Sequence, residues 1–309
     1  MQFSFNTTRL RDRRFWRVVG QGLAVLAIVL VLIFFAANLF RNLNQLGIRL
    51  GFRFLSSQAG FTIGESVIPF QPSDTYGRAL LVGLLNSLRV IITGILFATL
   101  VGVTAGIARL SNNWLVRTIA LVYIEILRNT PLLLQLLFWY FAVFLTLPNP
   151  DQPLQGVGFA ISNGGLVLAG GLRLSPEFSA LLMGLSLYTG TFIAEIVRGG
   201  IQSVPKGQWE AARSLGLKPA QTMGLVILPQ ALRAIVPPLG NQYLNLAKNS
   251  SLAIAVGFPD LYAVASTTFN QTGRAVEVMV LISLTYLSIS LVIALLLNWY
   301  NRQVQLVER

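Results

Sequence analysis

The chain has 309 residues, of which 54% are hydrophobic and only 11% charged, and it contains neither cysteine nor histidine. A soluble domain carries about 25% charged residues, so lipid is the expected main solvent. Thiol nucleophiles, disulfides and His-dependent triads are excluded, and only carboxylates remain for a metal, so none is expected. The net charge of +12 does not point to nucleic acid, because no soluble basic domain is left over. Lys and Arg held on one side of a membrane account for it.

A helix crosses a bilayer in roughly 20 apolar residues. The first such run, Val18 to Phe40, ends at Arg41; it is too long for a cleaved signal peptide and no small-residue cleavage site follows. Residues 41–77 are polar and partly amphipathic, with Phe52, Phe54, Phe61 and Ile63 suited to an interface. A second span is expected from Ala79 to Ala108, with Arg89 as its one interruption, and Gly102 and Gly106 would let another helix pack closely. A third runs from Thr118 to Leu147, carries Glu125 and Arg128 three residues apart, and is expected to kink at Pro131.

Residues 148–176 open with Pro148, Asn149 and Pro150, then alternate weakly from Gly158 to Leu174, which reads as a short hairpin or ordered loop. The fourth span is Phe178 to Val197, the fifth a short, proline-rich Ala231 to Ala247, and the sixth Val276 to Tyr300. Arg9, Arg11, Arg13, Arg14 and Arg17 crowd the N-terminal tail against a single acid, Asp12. With that tail in the cytoplasm, Arg109, Arg117, Arg198, Lys206, Arg213, Lys218, Arg302 and Arg309 join it. Fewer cations (Arg41, Arg49, Arg53, Arg173, Lys248 and Arg274) face the other way. Six spans with both termini cytoplasmic satisfy the positive-inside rule.

The stretch from Arg198 to Pro229 is the most informative. Pro205 precedes a run of helix formers, Glu210 to Leu215, and Gly216 suits a left-handed stop. A second short helix is expected from Pro219, giving a helix, a turn and a helix outside the membrane, with Ala211 and Ala212 small enough for close approach to a partner. On these grounds alone, an ordinary cytoplasmic connector is equally acceptable.

Glu210-Ala211-Ala212, three residues, Gly216, and then Val226-Ile227-Leu228-Pro229 resemble the EAA loop of bacterial ABC importer permeases. Leu127-Arg128-Asn129-Thr130-Pro131-Leu132-Leu133-Leu134-Gln135 is similar to the Arg-Gly-Thr-Pro-Leu-Leu-Val-Gln signature of polar amino acid permeases, with Asn129 where glycine is usual. Tyr188-Thr189-Gly190, Ala194 to Ile201, Lys248 to Leu252 and Gly257 to Leu261 also resemble that family, and the extra first span resembles its longer, general L-amino-acid members.

The resemblance implies an all-α integral membrane protein with the type I ABC importer permease fold, about six spans and cytoplasmic coupling helices. Its organisation is a tail, first span and outer loop over residues 1–77, a permease core over 78–300 with the EAA loop at 199–229, and a tail over 301–309. Glu210, Ala211, Ala212, Gly216 and Pro229 would dock into a groove on an ATP-hydrolysing subunit. Other expected partners are a second permease subunit, identical or related, a periplasmic substrate-binding protein, an L-amino acid and membrane lipid, in a bacterial inner membrane. No cofactor is expected on this chain, since no Gly-x-x-x-x-Gly-Lys-Ser/Thr loop occurs in it and ATP belongs to the partner.

Charges inside the spans have two readings each, because an ionisable residue in lipid faces a protein interior or a pathway. Glu125 and Arg128 either pair to orient the third span, or Arg128 lines the path and meets the substrate carboxylate. Glu195 and Arg198 would position the coupling loop. Arg128, Thr130, Tyr188, Lys248 and Ser250 are candidates for the substrate path, the last two at an expected break after Pro237 and Pro238. A secondary carrier or channel for small polar solutes is the alternative function; a membrane scaffold is a third. A nucleophile and base pair for a membrane hydrolase is not found.

Overall fold

A computed structural model describes residues 13–45, 47 and 50–304. Arg9, Arg11, Asp12, Arg49 and Arg309, on which part of the orientation argument rests, lie outside the described residues, as do the side chains of Arg13, Arg14 and Arg17. The chain forms two units, Met1–Gly51 and Phe52–Arg309. The first holds one long helix, α1 (Arg13–Gln45), whose Leu23, Ile28 and Phe34 are exposed.

The second unit is mostly helical. Five helices of the described residues are long and apolar enough to cross a membrane, and a sixth span exists if one sharply bent pair is counted as one. Its spine is α2 (Tyr76–Ala108) against α5 (Pro176–Gln202). Thr75 caps α2 by accepting from the Arg78 amide, and Ser175 caps α5 by accepting from the Phe178 amide, with Pro176 in the first turn. Gly102 and Gly106 set the spacing. A Cβ on Gly102 would lie 2.5 Å from the Ile193 Cβ, and one on Gly106 would lie 2.7 Å from the Ala194 carbonyl oxygen. The small-residue pair thus does what the sequence reading assigned to it.

The third expected span is not continuous. It is α3 (Trp114–Arg128), then α4 (Leu132–Leu137) continued by a π turn (Phe138–Val143) and a 3-10 turn (Phe144–Thr146), with a bend of 106° between the halves. Pro131 lacks the N–H to continue the ladder and excludes helix from the residue before it. The buried Gln135 side chain takes up the freed carbonyls, donating from Nε2 to Leu127 at 2.7 Å and Thr130 at 3.0 Å. A kink is thereby turned into a corner whose two freed carbonyls have a donor, while the Gln135 side-chain oxygen is buried without a partner.

The fifth span is longer than expected, and its two prolines do not break it. A continuous run from Pro219 to Val256 joins α7 (Pro219–Gln221), a π turn (Thr222–Ile227), α8 (Leu228–Asn249) and a 3-10 turn (Ser250–Val256). The short helix at Pro219, expected to stand outside the membrane as a separate piece, is the first turn of this run. α9 (Leu261–Thr272) follows, capped by Asp260, and had no counterpart among the expected elements. The last helix is α10 (Ala275–Val304), packed against α8 and α9.

Two segments between the helices also carry structure among the described residues. From Phe52 onwards, residues of the 41–77 stretch form a strap: Phe54, Phe61, Ile63 and Phe70 pack around Ala59, Tyr76, Ala79 and Val264, so it lies on the helices. Residues 148–174 form an antiparallel meander of β1 (Leu154–Gly156), β2 (Phe159–Ser162), β3 (Gly165–Leu168) and β4 (Arg173–Leu174), in that order. The register pairs Leu154 with Ile161, Phe159 with Leu168 and Leu166 with Leu174.

Candidate functional site

The EAA-like segment forms α6 (Lys206–Ser214). It ends in a Schellman stop: the Leu217 amide donates to Ala212 at 3.2 Å, the Gly216 amide donates to Arg213 at 2.9 Å, and Gly216 has φ of +74°. Only glycine takes that φ without strain, so the expected turn is present. α6 is seated on the π turn, where Trp209, Met223 and Val226 border a core of Ile201, Val204 and Ile227. The Gln230 side chain, on α8, donates to Gln208 at 3.1 Å.

This seat alters the reading of the paired alanines. Ala212, only 2% exposed, faces its own chain, while Ala211 and Glu210 point outward. Ala212 is therefore not free to line a partner's groove as expected. Pro229 is exposed near the start of α8, directly after the π turn. Leu215 and Leu225, 80% and 70% exposed, lie on the same loop and leave an apolar surface uncovered.

Glu195 and Arg198 pair as expected at 2.7 Å, with Arg109 at 3.9 Å from the other Glu195 oxygen and Gln202 accepting from Arg198. The cluster ties the end of α2 to the end of α5, just before α6. Glu125 and Arg128 do not pair. Asn129 donates to the Glu125 carboxylate at 3.2 Å and to its carbonyl at 2.8 Å, while Arg128 lies over the Phe192 ring, 5.3 Å from its centroid. Asn129 has φ of −90°, so the glycine usual at this position is not needed for backbone reasons.

Phe192 also meets Tyr188 edge to face, with ring centroids 5.1 Å apart. Tyr188, Thr189, Phe192, Gln242, Asn245, Lys248 and Asn249 line a cleft of about 280 Å³. Three of the five path candidates, Arg128, Tyr188 and Lys248, are thus gathered around Phe192. Thr130 is not; its hydroxyl donates to the Ile126 carbonyl at 2.7 Å. Ser250 is buried and donates to the Ala247 carbonyl at 2.8 Å, away from the cleft. Phe192 and the amides of Gln242, Asn245 and Asn249 were not singled out from sequence. The three amides stand at i, i+3 and i+7 on α8, a polar stripe that helical spacing could have flagged, whereas Phe192 comes from α5 and carries no such signal. One cation, a phenol and three amides in the lining, with Arg128 over the Phe192 ring beside them, suit a small polar solute with a carboxylate. Among the described residues, no group of acids is placed to hold a metal.

Residues 94–306 match the family described as binding-protein-dependent transport system inner membrane component. YhdX of Escherichia coli strain K12, named as an amino-acid ABC transporter permease, is 42% identical over 94% of each chain. The general L-amino acid transport system permease AapQ of Rhizobium johnstonii is 39% identical over 96% of this chain and 94% of its own. The YhdX alignment spans 369 positions, more than the 309 residues here, so that relative carries stretches this chain lacks. Among solved structures, an amino acid ABC transporter crystallised with histidines has 31% identity and a TM-score of 0.60 over 74% of this chain and 95% of its own. The MetNI methionine transporter, at 21% identity and a TM-score of 0.58, covers 74% of this chain and 98% of its own, and supports the fold alone. With its bent and continuous spans and its seated α6, this multi-pass membrane chain belongs to the binding-protein-dependent transport system inner membrane components, permease subunits of ABC importers and not enzymes.

Proposed function

We propose that this chain carries L-amino acids across the bacterial inner membrane, with both termini cytoplasmic, using ATP hydrolysed by separate subunits. The observation that carries the reading is α6: seated on the π turn through Ala212 and Trp209, it presents Glu210, Ala211 and Leu215 outward. A helix held this way transmits a push into the fifth span without a loose joint, because the π turn and α8 follow with no break. ATP-binding subunits and a soluble binding protein are the partners of this family in general. A second permease, a copy or a relative, completes the path, and no cofactor resides on this chain.

Substrate class is supported by the relatives' names and by the cleft at Tyr188, Phe192 and Lys248, where Lys248 would meet a carboxylate with Arg128 over the Phe192 ring nearby. The test is uptake into vesicles holding the reconstituted complex, with ATP inside and binding protein outside. Amino acids should accumulate only when both are present. Uptake driven by an ion gradient alone would return the secondary-carrier alternative.

A further inference from the structure

A second charged station lies at the strap. Glu65 reaches from the strap to Arg89 on α2, with Oε1 2.5 Å from Nη1, and both side chains are about four-fifths buried. The Ser175 hydroxyl donates to the other Glu65 oxygen, and Asn86 donates to the Glu65 carbonyl at 2.8 Å. The Arg89 guanidinium lies over Phe178, 4.1 Å from the ring centroid. Only Nη1 of Arg89 has a partner among the described residues; the Nε and Nη2 edge, the one that takes a carboxylate side-on with two parallel bonds, is vacant.

The pair stands between two clefts. On one side, a cleft of about 740 Å³ is lined by the strap (Gly60 to Glu65), Ser175, Glu177 and Pro259. On the other, a largely apolar cleft of about 860 Å³ runs between α2, α5 and the meander, and Glu65 and Arg89 both line it. Two of its wall residues, Ser179 and Ser186, are each 4% exposed and their hydroxyls have no hydrogen-bond partner. A buried hydroxyl without a partner is uncommon in a protein interior. Both residues border the cleft, each with its hydroxyl oxygen buried and its hydrogen-bonding capacity unspent.

We propose that the Glu65–Arg89 pair reads the zwitterionic end of the transported amino acid, a proposal that rests on the amino-acid reading above. The α-carboxylate takes the free Nε and Nη2 edge of Arg89, and Glu65 accepts from the α-ammonium. The cargo side chain lies in the apolar cleft beside Ser179 and Ser186. A zwitterion entering an ion pair turns one pair into two, and no charge in the partly buried site is left uncompensated. A cargo with only one of the two groups leaves Glu65 or Arg89 in excess, and is disfavoured for that reason.

The experiment has two stages. The reconstituted complex is first offered a pool of L-amino acids, and the imported ones are identified by mass spectrometry; if none is imported, the amino-acid reading itself fails. The best-imported amino acid is then tested by equilibrium dialysis on the permease with its ATP-binding subunits, binding protein omitted. Its deaminated acid and its decarboxylated amine serve as competitors. Both should compete about tenfold or more weakly than the amino acid on the unaltered chain, since each leaves one buried charge unpaired. Glu65→Gln should close the gap for the deaminated acid, and Arg89→Gln the gap for the amine. A merely structural latch weakens all three ligands together and leaves their ratios unchanged. Unchanged ratios in both variants, or import without saturable binding on the unaltered chain, overturn the proposal.

Discussion

The two ends of the larger unit are built by opposite means. At the α6 end, the helix and its stop are set locally: a proline before the helix, a glycine after it, and backbone hydrogen bonds of the stop that span at most five residues, with the Gln230–Gln208 bond 22 positions apart as the one longer side-chain link. At the strap end, the decisive contacts join distant segments. Glu65 meets Arg89 24 positions away and Ser175 110 away, and Asn86 meets Pro259 173 away. Local stereochemistry writes itself into sequence spacing; a contact between distant segments leaves only an isolated charged or polar residue. The contrast explains why one end is legible as a motif and the other is not.

The sharpest break in that contrast is at α6 itself. Ala212→Asp places a charge where the side chain is 2% exposed, and should destabilise the unit by about 3 kcal/mol or more, an unpaired buried charge being among the largest single-site effects. The check is thermal unfolding in mild detergent, alongside protease sensitivity after Arg213. Ala211→Asp, one residue away and exposed, should leave both unchanged while weakening retention of the ATP-binding subunits. If the two variants behave alike, the two alanines do not divide the work between seat and docking surface.

At the strap end, Asn86→Ala removes one fully buried side chain that donates to the carbonyls of both Glu65 and Pro259, each at 2.8 Å. Two part-buried carbonyls left without donors should cost about 1–3 kcal/mol. Hydrogen exchange should rise across residues 60–66 and not in α6. Faster exchange at both ends would show that they fold as one cooperative piece.

Gly216→Ala should cost about 1–2 kcal/mol, because φ of +74° is strained for any residue with a Cβ. No atom lies within 4 Å of where that Cβ would sit, so backbone strain accounts for the loss. Weaker retention of the ATP-binding subunits with uptake falling in step is the expected readout. Retention equal to that of the unaltered chain would disconnect the turn from docking.

The smallest effect concerns pH at Asp260, between the last two candidate spans and next to the strap cleft. Burial raises its pKa from 3.8 to about 6, against opposing hydrogen bonds from the Ala263 and Tyr262 amides. The folded state therefore holds this proton at pH values where the unfolded chain has released it. The stability so gained is full below the unfolded pKa and is lost as pH rises through about 6. Acidifying from near neutral to about pH 5 should add about 1 kcal/mol through this group. Asp260→Asn, which keeps a capping oxygen, should flatten that part of the profile of unfolding temperature against pH.

Composition and apolar run length sufficed for the membrane environment, for four of the spans to within a few residues, and for the close α2–α5 packing through Gly102 and Gly106. These follow from what lipid and helix geometry demand of any chain, whatever its neighbours. The turn at Gly216 and the pairing of Glu195 with Arg198 are short-range and equally legible. Tertiary structure alone decided the rest. The third span becomes a 106° corner because Gln135 is placed to satisfy the carbonyls that Pro131 frees. Pro237 and Pro238 stay within α8. Ala212 turns inward because the π turn lies beneath it, and Arg128 leaves Glu125 for Phe192 because α5 brings that ring within reach. Arg89 appeared in sequence as a mere interruption of a span. Its partner comes from a strap that only the packed helices bring to it, since an ion pair is specified by where two charges meet and sequence position encodes each of them separately.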